Sequence, residues 1–254
     1  MDADQRISDR VRQALAETLA RGVIVTLATG RMFSATRSFA EDLGITAPLL
    51  CCQGGWIQAR GGEVLHRIAL PTSVAEVALA LGESHGWETV VYADGQLFAR
   101  ETLHSDAFYA GLLGVPNSKK TWAEVMANHV VDKVLYVAEP DQIPAIGKVL
   151  NQHFAEAAEV IQSHSRFIEV IPQGVSKGNA LAWLAAHYGI AQQDVLAVGD
   201  QENDLSMVQW AGVGVAMGNA IPKLKQTATW VAPSVTEDGT AALLERFVLE
   251  GEFA

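Results

Sequence analysis

Apolar positions along the chain follow two patterns, the spacing of helices and the short runs of buried strands. After Ser8, a residue type favoured as a helix N-cap, Val11, Leu15 and Leu19 recur at helical spacing. The run 23–28 is short, apolar and mostly β-branched, and glycines bound it, so it predicts a buried strand. The same alternation continues elsewhere. We predict further helices at 33–43, 179–188, 204–211, 221–227 and 239–249, and further strands at 49–52, 195–198, 213–216 and 229–231.

The middle of the chain has a different order of elements. Gly61 and Gly62 separate two short extended runs, 56–60 and 63–68, which predicts a β-hairpin. Beyond the hairpin, helices and strands no longer alternate one by one. The pattern there predicts helices near 74–84, 104–112 and 141–153, and strands near 88–93, 96–100, 132–138, 158–163 and 167–171.

This order of elements predicts the fold class. Alternating strands and helices form a parallel sheet with helices on both faces. We therefore expect a doubly wound α/β domain formed by residues 1–71 and 174–254. An α+β domain, residues 72–173, is inserted into it.

Composition narrows the cellular locations and the partners that this protein could have. The 254 residues carry 29 acidic and 18 basic side chains, a formal net charge of −11, and an acidic surface repels nucleic acid and anionic membranes. No apolar run approaches the roughly 18 residues that span a bilayer, and the polar start Met1–Arg6 does not fit a secretory signal. We expect a cytoplasmic protein with no nucleic-acid or membrane partner. The adjacent Cys51 and Cys52 are expected to be buried, reduced thiols.

Three polar segments stand near predicted strand ends, where open parallel sheets bind ligands. Asp200 and Asp204 follow strand 195–198, and Mg²⁺ prefers such hard oxygen ligands. Lys177 could place a positive charge on a phosphate. Thr29 offers a hydroxyl just before a predicted helix N-terminus, a natural anion site. Each segment alone has a plainer interpretation, as a helix cap, a solvated lysine or a simple turn.

Together these segments resemble the haloacid dehalogenase superfamily, and more closely its Cof-type phosphatases, which carry a large inserted cap domain. The similarity runs over nearly the whole chain. It rests on Ala28–Arg31 (ATGR), Ser176–Leu181 (SKGNAL), Val198–Asp204 (VGDQEND), Gly214–Ala220 (GVAMGNA) and Glu237–Ala241 (EDGTA).

The resemblance implies a phosphohydrolase that works through an aspartyl-phosphate, with Mg²⁺ as cofactor and a small phosphorylated metabolite, a sugar phosphate first, as substrate. Thr29 would bind the transferring phosphoryl group, and Lys177 would steady that group and the nucleophile. The family often has Asn-Gly where this chain has Gln53-Gly54, which weakens Gln53 as a substrate contact. Substrate contacts are implied for Thr29, Gly30, Arg31, Lys177 and Gln53, and metal contacts for Asp200, Asn203 and Asp204.

One motif of that family is missing from the sequence. Its first strand ends in D-x-D-G-T, whose first aspartate is the nucleophile and whose second is the general acid/base, and no segment here matches. Asp2 and Asp4 have the carboxylate spacing, but no apolar strand precedes them and no Gly-Thr follows. We expect the central strand of the sheet, and the nucleophile with it, to lie upstream of this chain.

Three other possibilities stay open on the sequence alone. The chain could be a pseudoenzyme that closed the gap differently. It could be a module that binds phosphate or Mg²⁺ without turnover. It could also be an unrelated doubly wound fold such as a receiver domain, although that fold does not account for the long insertion. The residues 72–173 carry no motif that identifies a substrate, and nothing in the sequence sets an oligomeric state.

Overall fold

The structure is a computed structural model that describes residues 6–99 and 117–251. Its helices are α1 (Asp9–Ala20), α2 (Phe33–Asp42), α3 (Thr72–His85), α4 (Trp122–Asn128), α5 (Ile143–Phe154), α6 (Lys177–Tyr188), α7 (Leu205–Trp210), α8 (Pro222–Thr227) and α9 (Gly239–Leu244). Its strands are β1 (Leu49–Cys51), β2 (Trp56–Gln58), β3 (Val64–Arg67), β4 (Glu88–Ala93), β5 (Gln96–Phe98), β6 (Val131–Val137), β7 (Ala158–His164), β8 (Phe167–Pro172), β9 (Leu196–Gly199), β10 (Val213–Ala216) and β11 (Trp230–Val231).

These elements group into two compact units. The described residues of 1–27, 39–48 and 176–254 form the first unit, and those of 28–38 and 49–175 form the second. These boundaries differ from the predicted domain boundaries, because 28–38 and 49–71 group with the predicted insertion. Mixed α/β architecture, predicted from the alternation of elements, is confirmed.

The first unit contains a parallel sheet of three strands in the order β11-β10-β9. Its strands pair with Val215 opposite both Val198 and Trp230. Helix α1 begins after Ser8, whose hydroxyl accepts a hydrogen bond from the Val11 N–H, so the predicted N-cap is confirmed.

The predicted strand 23–28 is wrong. Within the described residues this run has no strand pairing up to Leu27, and only Ala28 forms a bridge, to Leu50. Val23 and Ile24 are 39% and 44% exposed, respectively. A β-branched run forms a stable strand only when neighbouring strands take up its backbone groups and cover its side chains, and in the described residues 23–27 lack such neighbours.

The second unit contains a five-stranded antiparallel sheet in the order β5-β4-β6-β8-β7. One face is apolar and packs against helices α3, α4 and α5. That core includes Val91, Val134, Tyr136 and Val170 from the strands. Since successive strand residues point to opposite faces, the alternate positions, among them Lys133 and Glu169, lie on the other face.

A β-bulge at Asp132 sets this alternation. Tyr92 lies opposite Lys133, whereas the next residue, Ala93, lies opposite Val131, so Asp132 is the extra residue of β6. Bulges re-aim the side chains that follow them. Here the bulge allows Val131 and Val134 to share the apolar core while Lys133 faces away from it.

The second unit also contains the predicted hairpin, as the antiparallel sheet β1-β2-β3. Arg67 of β3 links this sheet to the larger one: its guanidinium donates to Asp132 Oδ1 at 2.7 Å and to Asp94 Oδ1 at 2.8 Å. The Asp132 side chain is only 3% exposed. Burial raises the pKa of Asp132 to about 6, although Arg67 works in the opposite direction.

Two helices of the insertion differ from the prediction or lie beyond its test. The predicted helix 104–112 lies outside the described residues. Helix α4 was not predicted, although a signal for it was present. Thr121 and Glu124 form a capping box at its start, with Thr121 Oγ1 accepting from the Glu124 N–H and the Glu124 carboxylate accepting from the Thr121 N–H.

Candidate functional site

The acidic loop after β9 is held together by Asp204. Its Oδ2 accepts hydrogen bonds from the N–H groups of Asp200 (2.8 Å) and Gln201 (3.0 Å). A Cβ on Gly199 would lie 2.3 Å from the Asp204 Cβ, so only glycine allows the carboxylate to fold back onto the strand end. Asp204 is buried, and it supports the loop from inside.

Lys177 binds the other oxygen of the same carboxylate. Its Nζ lies 2.6 Å from Asp204 Oδ1, and the two side chains are 9% and 5% exposed. Lys177 is the first residue of helix α6, and the preceding Ser176 caps that helix by accepting from the Asn179 N–H. The structure therefore brings together three predicted site residues, Lys177, Asp200 and Asp204, within the first unit.

The segment Gly174–Gly178 has the G-x-S-x-G spacing of a serine-hydrolase nucleophile turn. That chemistry requires the serine on a strained strand-to-helix turn. Ser176 instead has ordinary extended backbone angles, φ −156° and ψ 158°, and its hydroxyl serves as the helix cap. Its geometry is that of a helix start and does not match a nucleophile turn.

Asp200 is the loop carboxylate best placed for a cation. It is half-buried at the carboxyl end of β9, and its contacts to Asn219 Nδ2 (3.3 Å) and Gln201 Nε2 (3.4 Å) are long for hydrogen bonds. Asn203, also partly buried, lies in the same turn. Among the described residues no group of three or more acidic, histidine or cysteine side chains is assembled as a metal cluster. A single carboxylate is compatible with Mg²⁺ that keeps several waters and binds substrate phosphate.

A loop in the second unit contains Thr29, Gly30 and Arg31. Its main chain forms hydrogen bonds with the backbone of residues 50–53. The Thr29 N–H donates to Leu50 O (2.8 Å), while Thr29 O and Arg31 O accept from the N–H groups of Gln53 and Cys52 (both 3.0 Å). The Thr29 Oγ1 accepts from the Arg31 N–H at 3.1 Å. Because that bond uses an oxygen lone pair, the Thr29 O–H proton stays available to donate to an anion.

Gln53 lies against this loop in a strained turn. Cys52 and Gln53 both have positive φ, 50° and 61°, a conformation that costs non-glycine residues free energy and is often found at functional sites. Gln53 is 1% exposed, and its side chain packs on Gly30, where a Cβ would lie 2.3 Å from Gln53 Nε2. Three predicted substrate contacts, Thr29, Gly30 and Gln53, thus lie together.

The structure adds a buried ion pair that the sequence interpretation missed. Lys133 Nζ donates to Glu169 Oε2 at 2.6 Å and to Gly30 O at 2.8 Å, and it lies 4.2 Å from the centre of the Tyr92 ring. Glu169 Oε1 accepts from Gln53 Nε2 at 3.0 Å and from the Ser163 hydroxyl. The sequence did contain a signal for this pair. Strand β6 carries Asp132 and Lys133, and β8 carries Glu169, among residues that are otherwise mostly apolar.

The two cysteines do not supply a reactive thiol to this polar network. Both are free and buried, as predicted. Burial raises the pKa of the Cys51 thiol to about 12, and burial raises that of Cys52 well above its ordinary value. Because the thiolate is the reactive form, both side chains act as small apolar residues at neutral pH.

The first unit thus combines a parallel sheet, an acidic loop at the end of one strand and a buried lysine–aspartate pair. The chain belongs to the haloacid dehalogenase-like hydrolases, whose family model matches residues 1–244. The predicted family is confirmed.

Relatives and solved structures agree with this membership. The chain is 32% identical to the HMP-PP phosphatase of Enterobacter sp. (strain 638), over 87% of this chain and 81% of that protein. It is 28% identical to the 5-amino-6-(5-phospho-D-ribitylamino)uracil phosphatase YitU of Bacillus subtilis, over 96% and 92% of the two chains. A haloacid dehalogenase-like hydrolase from Bacteroides thetaiotaomicron has a TM-score of 0.86 at 26% identity, covering 97% of this chain and 95% of that one.

Within residues 6–99 and 117–251, no helix is both long enough and apolar enough to cross a membrane.

Proposed function

We propose that this hydrolase is a magnesium-dependent phosphatase of small phosphorylated metabolites, with sugar phosphates as the preferred class. The observation that carries the proposal is the pairing of Lys177 with Asp204 beneath the Asp200 loop. A buried cation and the half-buried Asp200 thus lie near the carboxyl end of β9. The relatives named above, which act on small phosphorylated compounds, support the substrate class.

Two side chains are proposed to bind the transferring phosphoryl group. Thr29 donates its hydroxyl proton to a phosphoryl oxygen, since its oxygen already accepts from the Arg31 N–H. Lys177 has three N–H donors, and its bond to Asp204 leaves it the capacity to donate to the phosphoryl group and the nucleophile. Both contacts stabilise negative charge as the phosphoryl group moves, which is the main demand of this chemistry. Gly30, Arg31 and Gln53 complete the proposed substrate contacts.

Mg²⁺ is proposed to bind at Asp200. Asn203 and Asp204 support that position, with Asp204 acting through the loop N–H groups that it holds. The ion supplies Lewis-acid neutralisation of phosphate charge when bound. The carboxylate of Asp204 is already shared by Lys177 and two N–H groups, which is why we assign it a supporting part.

The attacking carboxylate is proposed to come from a D-x-D-G-T strand that the printed sequence does not contain. Asp2 and Asp4 lie outside the described residues. Two observations in the first unit support a strand supplied from elsewhere. The apolar run 23–27 has no strand partner among the described residues, and β9 is an edge of its sheet there.

Hydrolysis of p-nitrophenyl phosphate tests this function. We expect Mg²⁺-dependent turnover from a version of the chain extended upstream by a strand ending in D-x-D-G-T, and none when the first aspartate of that motif is changed to Asn. Absence of metal-dependent turnover in the extended protein would refute the proposal.

A second candidate function is a domain that binds phosphate or Mg²⁺ without turnover. The absence of D-x-D-G-T from the printed sequence favours it for the chain as it stands. Calorimetric titration of this chain with inorganic phosphate should then show binding that weakens in Lys177→Ala, and a silent titration would argue against it.

A further inference from the structure

The loop Thr29–Arg31 is contacted from two directions. Backbone N–H groups of Cys52 and Gln53 take the carbonyls of Arg31 and Thr29. The carbonyl between them, that of Gly30, accepts instead from a side chain, Lys133 Nζ at 2.8 Å. Three successive carbonyls are thus satisfied, and the middle one depends on a residue about 100 positions away in the sequence.

The Gly30 carbonyl belongs to the peptide unit that orients the Thr29 hydroxyl. A peptide unit is planar, so the Gly30 C=O and the Arg31 N–H move together. The Arg31 N–H is the group that donates to Thr29 Oγ1 at 3.1 Å. Fixing the carbonyl with Lys133 therefore fixes the N–H, and through it the hydroxyl oxygen of Thr29.

Lys133 is itself held by groups from several elements. Glu169 of β8 accepts from it at 2.6 Å, and the Tyr92 ring of β4 packs on the ammonium at 4.2 Å. Glu169 in turn accepts from Gln53, at 3.0 Å, and from Ser163 of β7. The Lys133 and Glu169 side chains are 2% and 3% exposed. A buried ion pair is weak support for stability by itself, because desolvation offsets the attraction, so stability alone does not account for this one.

We propose that Lys133 is a positioning residue for the phosphate-binding loop, with Glu169 as its counter-charge. It sets the plane of the Gly30–Arg31 peptide and thereby the Thr29 hydroxyl. The importance of that hydroxyl rests on the function proposed above, whereas the contact to the loop does not. The polar face of the five-stranded sheet, which carries Lys133 and Glu169, is thus coupled to phosphate recognition without contacting phosphate.

Two measurements on Lys133→Met test the proposal. Backbone amide exchange of residues 28–31 should speed up about tenfold more than that of the β4 and β8 amides, which report the stability lost when Glu169 is left unpaired. The dissociation constant for inorganic phosphate should rise about tenfold in calorimetry. Lys148→Met, the same change at an exposed lysine of α5, is the matched control and should alter neither.

A second variant separates positioning from charge compensation. In Lys133→Met/Glu169→Leu both charges are removed, and such replacements of buried pairs are often neutral for folding. The Gly30 carbonyl still lacks its donor, so fast exchange at 28–31 and weak phosphate binding should persist. If the double variant regains both wild-type values, or if folded Lys133→Met keeps them, the proposal is wrong. If the wild-type chain binds no phosphate, the second candidate function fails, and the exchange measurement still decides the position of the loop.

Discussion

Lys177 Nζ and Asp204 Oδ1 lie 2.6 Å apart in the first unit, and both side chains are nearly inaccessible to solvent. The pair joins the start of α6 to the loop after β9. Asp204 also organises the N–H groups of Asp200 and Gln201. The same contact therefore supports the fold and the proposed site, and its removal should affect both.

We expect Lys177→Met to lower the free energy of unfolding by about 3–5 kcal/mol, because Asp204 is left buried and unpaired. Urea denaturation measures the change. The control is Lys223→Met, whose pair with Glu202 has side chains 65% and 52% exposed, and it should change stability by less than about 1 kcal/mol. Equal losses in the two variants would contradict the assignment of a buried pair.

Gly30→Ala should displace the Gln53 side chain, since the new Cβ would lie 2.3 Å from Gln53 Nε2. We expect a loss of about 1–3 kcal/mol from overpacking. In Gly30→Ala/Gln53→Ala the clash is absent, so the losses should be less than additive in a double-mutant cycle by urea denaturation. Gly61→Ala, where nothing lies within 4 Å, is the control. Strictly additive losses would show that the two residues do not compete for this space.

Asp132 should make stability depend on pH. Burial raises its pKa to about 6 in the folded chain, against 3.8 ordinarily. The folded state thus favours the protonated carboxyl, and the contribution of Asp132 to stability is fully present below about pH 4 and is lost as pH rises through about 6.

Asp132→Asn removes this titration. Relative to the variant, the wild type should lose about 2 kcal/mol of unfolding free energy between pH 4.5 and 7.5. Parallel urea denaturation series measure the difference. Asp141→Asn, at an exposed position, removes the same charge and should run parallel to the wild type. A wild type that gained stability over Asp132→Asn with rising pH would reverse the sign and refute the argument.

Asp200→Asn should weaken Mg²⁺ binding in the presence of phosphate at least about tenfold. Losing even an outer-shell partner of a metal site typically costs that much, and Asp200 is proposed as a direct ligand. Calorimetric titration with MgCl₂ gives the affinity. Glu202→Gln, an exposed acid two residues away, is the matched control. If both variants bind Mg²⁺ alike, the ion is attracted by overall charge and not by Asp200.

Local sequence signals predicted much of the fold and part of the site. Ser8 and the helical spacing after it located α1, and the acidic loop was found because Asp200 and Asp204 follow an apolar run. Strand 23–28 was wrong because strand formation depends on neighbours, which the local pattern does not reveal. Lys133 and Glu169 were missed for a related reason. Their pairing depends on strand register and on the approach of Gly30, both of which are long-range.

The β-bulge at Asp132 adds one residue to β6 without changing which of its neighbours face the core. It lets Val131 and Val134 share the apolar core while Lys133 reaches the Gly30 carbonyl. If Asp132 were paired in an unbroken ladder, Lys133 would lie on the same face as Val131, in the apolar core. Deleting Asp132 would leave Lys133 on its present face but would remove the carboxylate that Arg67 binds. The bulge thus gives β6 a buried acid without turning the rest of the strand over.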